Sequence, residues 1–355
     1  MNVSKLWSRK LRDLTTCCRR AERYQNATYK SAVCTDFTKP LEIVDDGKTF
    51  DPSTLGKHEV SVAIKACGIN YADILQCKGL YQEAASPPFV PGMEISGEVL
   101  AVGGQVKTVK INDKVFGVLK SGGGFSEHTV IPEMALKKLP NTVSFEVAAS
   151  SVINYGTSRM ALEKANLQKG ETLFVTGAAG STGLSAVDIG SQLGATVIGS
   201  CSSQSKAEVI KSKGASHVID YSTEDVPARL KELTNGKGPN VVYDTVGGDL
   251  FLTCLKSLAH EGRILTIGYT SGKIPSIPAN LVLLKSCSVM GVYWGDYSRK
   301  NYPLFSKSVD DCIKAISDGE NSPHIGTVLP LSQINEAFKI IVKRQNIGKV
   351  VISMD

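Results

Sequence analysis

The pattern of apolar and polar positions changes about halfway along the chain. From Tyr29 to about Ser151 it consists of short strand-like stretches separated by glycines and prolines. Val60–Lys65 alternates apolar and polar positions, as a half-buried strand does. Ile95–Val102 and Lys114–Val118 are two further strand candidates. This half of the chain is therefore predicted to be mainly β-structure with tight turns.

From about Thr172, short apolar strands recur with helix-like segments between most of them. The strand candidates are Leu173–Val175, Val197–Gly199, His217–Asp220, Val241–Asp244, Ile264–Ile267 and Val289–Gly291. The helix candidates include Leu184–Leu193, Lys206–Ser212 and Pro227–Leu233. Strands that alternate with helices indicate parallel β-α-β units. Six such strands predict an α/β fold with a doubly wound, nucleotide-binding sheet.

The end of the chain returns to strand-like and amphipathic segments, at Val328–Pro330, Ile334–Ile341 and Lys349–Ile352. We infer that the chain crosses back to complete the first domain. The predicted organisation is a β-rich domain of residues 29–151 and 315–355, a nucleotide-binding domain of residues 152–314, and an arm of residues 1–28 that belongs to neither.

Charge distinguishes the arm from the folded body. Residues 1–30 carry eight basic and two acidic side chains, so they supply the whole net charge of +6 of this 355-residue chain. A nucleic-acid-binding protein is expected to carry a basic stripe on its folded body. The remaining residues have no net excess, so nucleic acid is not a favoured partner.

The arm also has an amphipathic pattern. It is rich in arginine and poor in acids, and apolar side chains three or four positions apart share one helical face: Leu6, Trp7, Leu11, Leu14 and Cys18. This composition is typical of a mitochondrial transit peptide; the alternative is a basic tail with no targeting role on a cytoplasmic protein. No apolar run approaches the roughly 18 residues that a membrane span needs, so no span is predicted.

A glycine-rich loop, Gly177-Ala-Ala-Gly180-Ser-Thr-Gly183, follows the strand Leu173–Val175 and precedes a helix. Small residues let backbone N–H groups approach a pyrophosphate, and the helix start adds unpaired donors and partial positive charge. The position between a strand and a helix is the context that supports dinucleotide binding.

The end of the next strand indicates which dinucleotide binds. An NAD site usually has an acid there for the ribose hydroxyls. The segment Gly199–Lys206 contains no acid but has hydroxyls and a lysine, which suit a 2′-phosphate. The predicted cofactor is NADPH.

The chain resembles the zinc-free quinone oxidoreductase branch of the medium-chain dehydrogenase/reductase superfamily from about residue 30 to its end. The motifs that carry the resemblance are Gly68-Ile-Asn70-Tyr-Ala-Asp73, Gly79-Leu-Tyr81, Pro88-Phe-Val-Pro-Gly92, Gly97-Glu-Val99, Asn112-Asp-Lys-Val115, Gly123-Gly-Phe-Ser-Glu127, the glycine loop and Val218-Ile-Asp-Tyr221. It implies a six-stranded Rossmann domain beside a mainly β, GroES-like catalytic domain.

Two positions in these motifs bear on zinc. Zinc-dependent members of the superfamily have a cysteine and a histidine where this chain has Asn70 and Met93. Neither an amide nor a thioether is a usual ligand of catalytic zinc, so no metal site is expected.

The resemblance also assigns roles to single residues. Asn70 would lie beside the nicotinamide and the substrate, and Tyr81 is either a proton donor or a pocket wall. The residues expected to bind the cofactor are Asn70, Thr157, Gly180, Ser181, Thr182, Gly183, Ser202, Lys206, Tyr221, Gly268, Tyr269 and Arg344. Packed aromatics are the alternative for Tyr221 and Tyr269. Leu75 and Cys77 replace polar residues of quinone reductases, which predicts a less polar pocket.

The resulting hypothesis is NADPH-dependent, zinc-independent reduction of a quinone or an α,β-unsaturated carbonyl compound. The first alternative is a mitochondrial 2-enoyl-thioester reductase, which also keeps a tyrosine at the position of Tyr81. The second is an NADPH-binding structural or RNA-binding protein with little turnover. The resemblance further implies a homodimer formed through the sheet edge at Val289–Trp294.

Overall fold

The computed structural model describes residues 28–45, 47, 49–83 and 85–354. The predicted transit peptide therefore lies outside the described residues. The chain forms two compact units. One consists of residues up to Ala149, Val328–Val342 and the end of the chain from Val351. The other consists of Ser150–Thr327 and Lys343–Val350 and is called the nucleotide unit below.

The described residues form fifteen strands and eleven α-helices, numbered here in chain order. The strands are β1 (Lys30–Val33), β2 (Glu42–Asp45), β3 (Glu59–Gly68), β4 (Glu94–Val102), β5 (Lys114–Val118), β6 (His128–Pro132), β7 (Leu136–Lys138), β8 (Thr172–Val175), β9 (Thr196–Cys201), β10 (His217–Asp220), β11 (Val241–Asp244), β12 (Arg263–Thr266), β13 (Ser288–Gly291), β14 (Ile325–Pro330) and β15 (Lys349–Ser353). The helices are α1 (Tyr71–Cys77), α2 (Phe145–Ala149), α3 (Val152–Lys164), α4 (Ser181–Gln192), α5 (Gln204–Ser212), α6 (Val226–Leu233), α7 (Gly248–Ser257), α8 (Ala279–Lys285), α9 (Tyr297–Lys300), α10 (Tyr302–Ser317) and α11 (Ile334–Val342).

The nucleotide unit contains the predicted parallel sheet. Its six strands lie in the order β10-β9-β8-β11-β12-β13, and every neighbouring pair is parallel. The order reverses direction beside β8, the first strand of the sheet in the chain, so the loop after β8 opens at the switch point where doubly wound sheets bind ligands. The predicted doubly wound fold is confirmed.

The other unit is built on antiparallel strands, as predicted. β3 pairs with β4, β6 and β15, and β4 continues the sheet through β5 to β7. Strand β3 is longer than the alternating segment Val60–Lys65 and is more buried than a half-buried strand. Its polar residue Ser61 is fully buried because its hydroxyl is hydrogen-bonded to His128 Nε2 at 2.8 Å. The alternation therefore did not mark a solvent face.

The structure also draws the second domain boundary at a different place from the sequence. The crossing back to the first domain was predicted at residue 315, but α10 continues through Ser317. The nucleotide unit extends to Thr327 and also takes in Lys343–Val350. A helix whose apolar face packs on one core does not end until a stop signal, which here is Asp318-Gly319 with Gly319 at a φ of +77°.

No helix among the described residues is both long and apolar enough to cross a membrane.

Candidate cofactor site and active site

The glycine loop connects β8 to α4 in a turn that two glycines make sterically possible. Gly177 has a φ of +57°, and a Cβ there would lie 2.7 Å from Thr245 Oγ1. A Cβ at Gly183 would lie 2.5 Å from the carbonyl oxygen of Gly177. Side chains at either position would push the helix start away from the strand end, so both positions require glycine.

The start of α4 presents backbone donors. The first hydrogen bond of the helix runs from Leu184 N to the Gly180 carbonyl oxygen at 2.8 Å. The N–H groups of Ser181, Thr182 and Gly183 precede that bond and therefore have no acceptor within the helix. Gly180 differs from them, because its N–H donates to the Gly177 carbonyl oxygen at 3.0 Å. Three N–H groups at the positive end of a helix dipole are suited to a pyrophosphate.

A buried carboxyl group holds the chain in place just before the glycine loop. Asp244, at the end of β11, accepts hydrogen bonds from Thr176 Oγ1 at 2.6 Å and from Gly247 N at 2.9 Å. Thr245 N in turn donates to Thr176 Oγ1 at 3.0 Å. Burial raises the pKa of Asp244, and these hydrogen bonds partly oppose that rise. The bonds join the ends of β8 and β11 directly before Gly177.

Two of the predicted cofactor residues meet at the end of β9. Lys206 lies in the first turn of α5, which is capped by the Ser203 hydroxyl, and its Nζ donates to the Arg344 carbonyl oxygen at 2.7 Å. The segment that carries Arg344 also runs along the glycine loop, because Gly348 N donates to the Ala179 carbonyl oxygen at 2.8 Å. Neither Lys206 nor Arg344 forms an ion pair within the described part of the chain. Their charges are therefore available for an anion.

Tyr221 lies at the same end of the sheet. Its N–H donates to the Cys201 carbonyl oxygen at 3.0 Å, next to Ser202, and its side chain is 44% exposed. That exposure removes the alternative of a core aromatic. Two acidic residues from outside the Gly199–Lys206 turn, Asp220 and Glu224, lie near Cys201.

Both of these carboxylates already have partners. Asp220 accepts from the Ser222 hydroxyl at 2.6 Å, which lowers its pKa, and Glu224 pairs with Arg229 at 2.9 Å. Of the charged groups at this end of the sheet, Glu224 is thus paired with Arg229, while Asp220, Lys206 and Arg344 form no ion pair within the described residues.

Other predicted residues also belong to the nucleotide unit. Thr157 is half-buried on α3, next to Ser158, whose hydroxyl donates to the Thr182 carbonyl oxygen at 3.2 Å. Gly268 follows β12, and Thr270 N beyond it donates to the Thr245 carbonyl oxygen at 3.1 Å. The half-buried Tyr269 lies over Gly247, where a Cβ would be 2.8 Å from its ring, so the Tyr269 ring also packs against the chain at Gly247.

Asn154 on α3 was missed by the sequence analysis. Its side-chain oxygen accepts hydrogen bonds from the hydroxyls of Ser181 and Thr182, at 3.3 and 3.0 Å. Asn154 and Ser158 lie four positions apart, so they share one face of α3. Two polar residues on one face of a helix with many buried positions were the sequence signal that could have indicated a contact between α3 and the glycine loop.

Asn70 lies in the other unit and caps α1. Its N–H donates to Asp73 Oδ2 at 2.7 Å, and its Nδ2 lies 3.3 Å from the Gly68 carbonyl oxygen and 3.4 Å from Glu94 Oε2. Glu94 and Asp73 are both buried. The two protons of the amide therefore already point at acceptors, through long bonds.

Tyr81 follows α1 at the opposite end from Asn70 and is half-buried. Of the two residues expected to make the pocket less polar, Leu75 is half-buried and Cys77 is buried. The Cys77 carbonyl oxygen lies 3.8 Å from Cys34 Sγ, and burial raises the pKa of the Cys77 thiol. Cys77 is thus a neutral, apolar group.

Within the described ranges, no three His, Cys, Asp or Glu side chains lie close enough together to bind one metal ion.

Two family models match the chain, one in each unit. The model of the alcohol dehydrogenase GroES-like domain matches residues 56–141. The model of zinc-binding dehydrogenases matches residues 181–311, which include the glycine loop from Ser181 and the six strands except β8. The mainly β unit therefore has the GroES-like fold that was predicted.

Similar proteins cover nearly the whole chain. Quinone oxidoreductase-like protein 2 homolog of Nematostella vectensis is 43% identical over 350 residues, which are 96% of this chain and 95% of that protein. Quinone oxidoreductase-like protein 2 of Bos taurus is 42% identical over 339 residues, 95% of this chain and 96% of that protein.

Solved structures agree with these relatives. The crystal structure of Escherichia coli quinone oxidoreductase complexed with NADPH has a TM-score of 0.81 at 28% identity and covers 92% of this chain and 99% of that one. The quinone oxidoreductase of Pseudomonas syringae pv. Tomato has a TM-score of 0.82 at 32% identity, with the same coverage. The chain therefore belongs to the quinone oxidoreductase-like proteins of the medium-chain dehydrogenase/reductase superfamily.

Proposed function

We propose that this protein is an NADPH-dependent, zinc-independent oxidoreductase that reduces quinones or α,β-unsaturated carbonyl compounds by hydride transfer. The observation that carries this proposal is the contact of two cationic residues near the glycine loop: the ammonium group of Lys206 donates to the backbone carbonyl oxygen of Arg344 at 2.7 Å. Binding of NADPH by the Escherichia coli quinone oxidoreductase, a structural relative, supports the same cofactor.

The residues of the nucleotide unit fit the parts of the cofactor in order. The N–H groups of Ser181, Thr182 and Gly183 would hold the pyrophosphate, while Lys206 and Arg344 would neutralise the 2′-phosphate. Charge-assisted bonds from cations to phosphate are the strong class of hydrogen bond, and they are absent when the dinucleotide has only a ribose hydroxyl. Preference for NADPH over NADH follows from this difference.

NADPH supplies the hydride when it is bound. The protein's own contribution is to orient the two reactants, which is worth on the order of 7 kcal/mol of barrier in favourable cases. Tyr81 or a water molecule would supply the proton that the substrate oxygen requires once the electron-poor carbon of the acceptor is reduced.

Asn70 and Met93, which occupy the positions of zinc ligands in zinc-dependent relatives, favour an electron-poor substrate over an alcohol. Hydride transfer to a simple ketone gains more from a Lewis acid that polarises the oxygen, and the ligands that hold catalytic zinc are thiolate, imidazole and carboxylate. A quinone or enone is already electron-poor and needs only hydrogen-bond donors at its oxygen.

The decisive experiment compares acceptors with the purified protein. We expect NADPH oxidation with 1,4-naphthoquinone or an enone, unchanged after dialysis against a chelator. Turnover of crotonyl thioester alone would instead establish the 2-enoyl-thioester reductase, an alternative that the tyrosine at position 81 supports. Loss of quinone turnover on chelation would contradict zinc independence.

We further propose that two chains associate through β13, the edge strand of the parallel sheet, and the segment that follows it to Trp294. An edge strand leaves backbone N–H and C=O groups with which a second copy can pair.

We also propose that residues 1–28 direct the protein to mitochondria. A fluorescent fusion of the full chain should colocalise with a mitochondrial marker, and one lacking residues 1–28 should not.

A further inference from the structure

The side chain of Asn154 has only one possible orientation. Asn154 is 2% exposed, and its Nδ2 donates to the Ser150 carbonyl oxygen at 2.9 Å. A carbonyl oxygen accepts and cannot donate, so the amide nitrogen must face Ser150. The amide oxygen therefore faces Ser181 and Thr182, at 3.3 and 3.0 Å.

This orientation determines where two hydroxyl protons go. An amide oxygen only accepts hydrogen bonds, so the hydroxyls of Ser181 and Thr182 are the donors in both contacts. A hydroxyl has a single proton. While it donates to Asn154, neither hydroxyl has a proton left for a phosphate oxygen.

The carbonyl group of Thr182 is held in the same direction. It accepts from the hydroxyls of Ser158 and Ser185, at 3.2 and 2.8 Å. The Ser158 hydroxyl is hydrogen-bonded in turn to the buried phenol of Tyr243 at 2.8 Å. Burial raises the pKa of Tyr243, so this phenol is neutral and keeps its proton. Carbonyl and hydroxyl of Thr182 are thus both turned toward α3, away from a ligand at the helix start.

We propose that Asn154 is a positioning residue for the cofactor pyrophosphate: it binds the two hydroxyl protons of the Ser181-Thr182 pair and so leaves the backbone N–H groups of residues 181–183 as the phosphate donors. The proposal rests on the proposed function, because that function places a pyrophosphate at this loop. It explains how a loop that carries a serine and a threonine side chain keeps an amide-based site.

The pyrophosphate is common to NADPH and NADH, which gives the test. In isothermal titration calorimetry, Asn154→Ala should weaken both dinucleotides by the same factor, about three- to tenfold, the loss expected from one or two neutral hydrogen bonds. Adenosine 2′-phosphate, which lacks the pyrophosphate, should bind both proteins equally. A loss for NADPH alone, or an equal loss for adenosine 2′-phosphate, would overturn the proposal.

A double-mutant cycle with Thr182→Val separates positioning from general damage. The double variant should bind no more weakly than the weaker single variant, because both changes remove the hydrogen bond between Thr182 and Asn154. Losses that multiply would contradict the proposed coupling. Thr182→Val also tests the proposal by itself if Asn154→Ala does not fold, since it should weaken both dinucleotides equally.

Asn321→Ala is the matched control. Asn321 is a buried asparagine of the same unit, 3% exposed, whose amide lies 3.5 Å from Asp188 and not at the loop. Its replacement should leave both affinities unchanged; a loss equal to that of Asn154→Ala would count against positioning. Failure of the unaltered protein to bind either dinucleotide would overturn both proposals, whereas unaltered binding by Asn154→Ala would overturn this one alone.

Discussion

Lys206 and Arg344 are 138 positions apart in the chain, yet the ammonium group of one donates to the carbonyl oxygen of the other. Arg344 has a φ of +56°, an uncommon conformation for a residue with a side chain. The hydrogen bond from Lys206 helps to keep it there. The proposed cofactor site therefore combines single residues from distant parts of the nucleotide unit.

Lys206→Ala tests the assignment of the 2′-phosphate. We expect the Kd for NADPH to rise about tenfold to a hundredfold, the equivalent of one charge-assisted hydrogen bond, and the Kd for NADH to stay nearly the same. Titration of both dinucleotides measures this. Lys211→Ala, on the last turn of the same helix, is the control and should change neither. Equal losses for NADPH and NADH after Lys206→Ala would contradict the specificity argument.

Asn70→Ala tests the catalytic unit. Loss of a donor to developing negative charge costs about a hundredfold or more in kcat, and we expect the lower end because both amide protons have acceptors already. The KM for NADPH should change little, since the cofactor phosphates are bound elsewhere. A steady-state comparison with 1,4-naphthoquinone is the measurement, and an unchanged kcat would remove Asn70 from the catalytic residues.

At the scale of elements, the pairing of β3 with β6 contains a half-buried histidine. The His128 ring is stacked on Tyr29 with centroids 4.4 Å apart, lies 4.8 Å from the Phe50 ring, and is hydrogen-bonded to Ser61. Burial lowers the pKa of His128 to about 4. The neutral ring is thus part of the packing between the two strands.

This histidine predicts acid sensitivity. Between about pH 6.5 and pH 4 the unfolded chain binds a proton at His128 and the folded chain does not, so stability falls as the pH falls through that window, by on the order of 2 kcal/mol. Urea unfolding at pH 7 and pH 4.5 measures the change. His128→Gln should flatten the pH dependence, while His217→Gln, at an exposed position, should not. A profile that His128→Gln leaves intact would assign the effect to other groups.

At the scale of the whole molecule, the parallel sheet ends at β13, and no other strand of the described residues lies beyond it on that side. Apolar side chains are exposed nearby, with Tyr293 45% exposed and Leu283 and Leu284 of α8 more than 75% exposed. Exposed apolar groups beside an open sheet edge are typical of an interface.

Tyr293→Glu tests association through this edge. Size-exclusion chromatography with light scattering should give a molar mass of about twice 37.9 kDa for the unaltered protein. The variant should give about 37.9 kDa, because the glutamate charge would be buried against the second chain. Leu193→Glu, another exposed apolar position of the nucleotide unit, should remain dimeric. A monomeric unaltered protein would contradict the proposed dimer.

The sequence by itself determined the features that depend on neighbouring residues. The strand, glycine turn and helix around Gly177–Gly183 are consecutive, and the alternation of strands with helices implies a parallel sheet because parallel strands need a crossover between them. The lack of an acidic residue in Gly199–Lys206, which predicted NADPH, could likewise be read from neighbouring residues. Arg344 was predicted at the cofactor only from family resemblance, and its contact with Lys206 was not predicted, since no local rule joins residues so far apart.

Tertiary structure alone decided how polar groups are paired. A serine in a strand pattern is ordinarily assigned to the solvent face, but Ser61 is fully buried and its hydroxyl is hydrogen-bonded to His128 Nε2. The amide oxygen of Asn154, 27 and 28 positions before Ser181 and Thr182, accepts the hydroxyl protons of that pair. Hydrogen-bond partners are chosen by proximity in the folded chain, and the spacing of residues along the sequence does not contain that proximity.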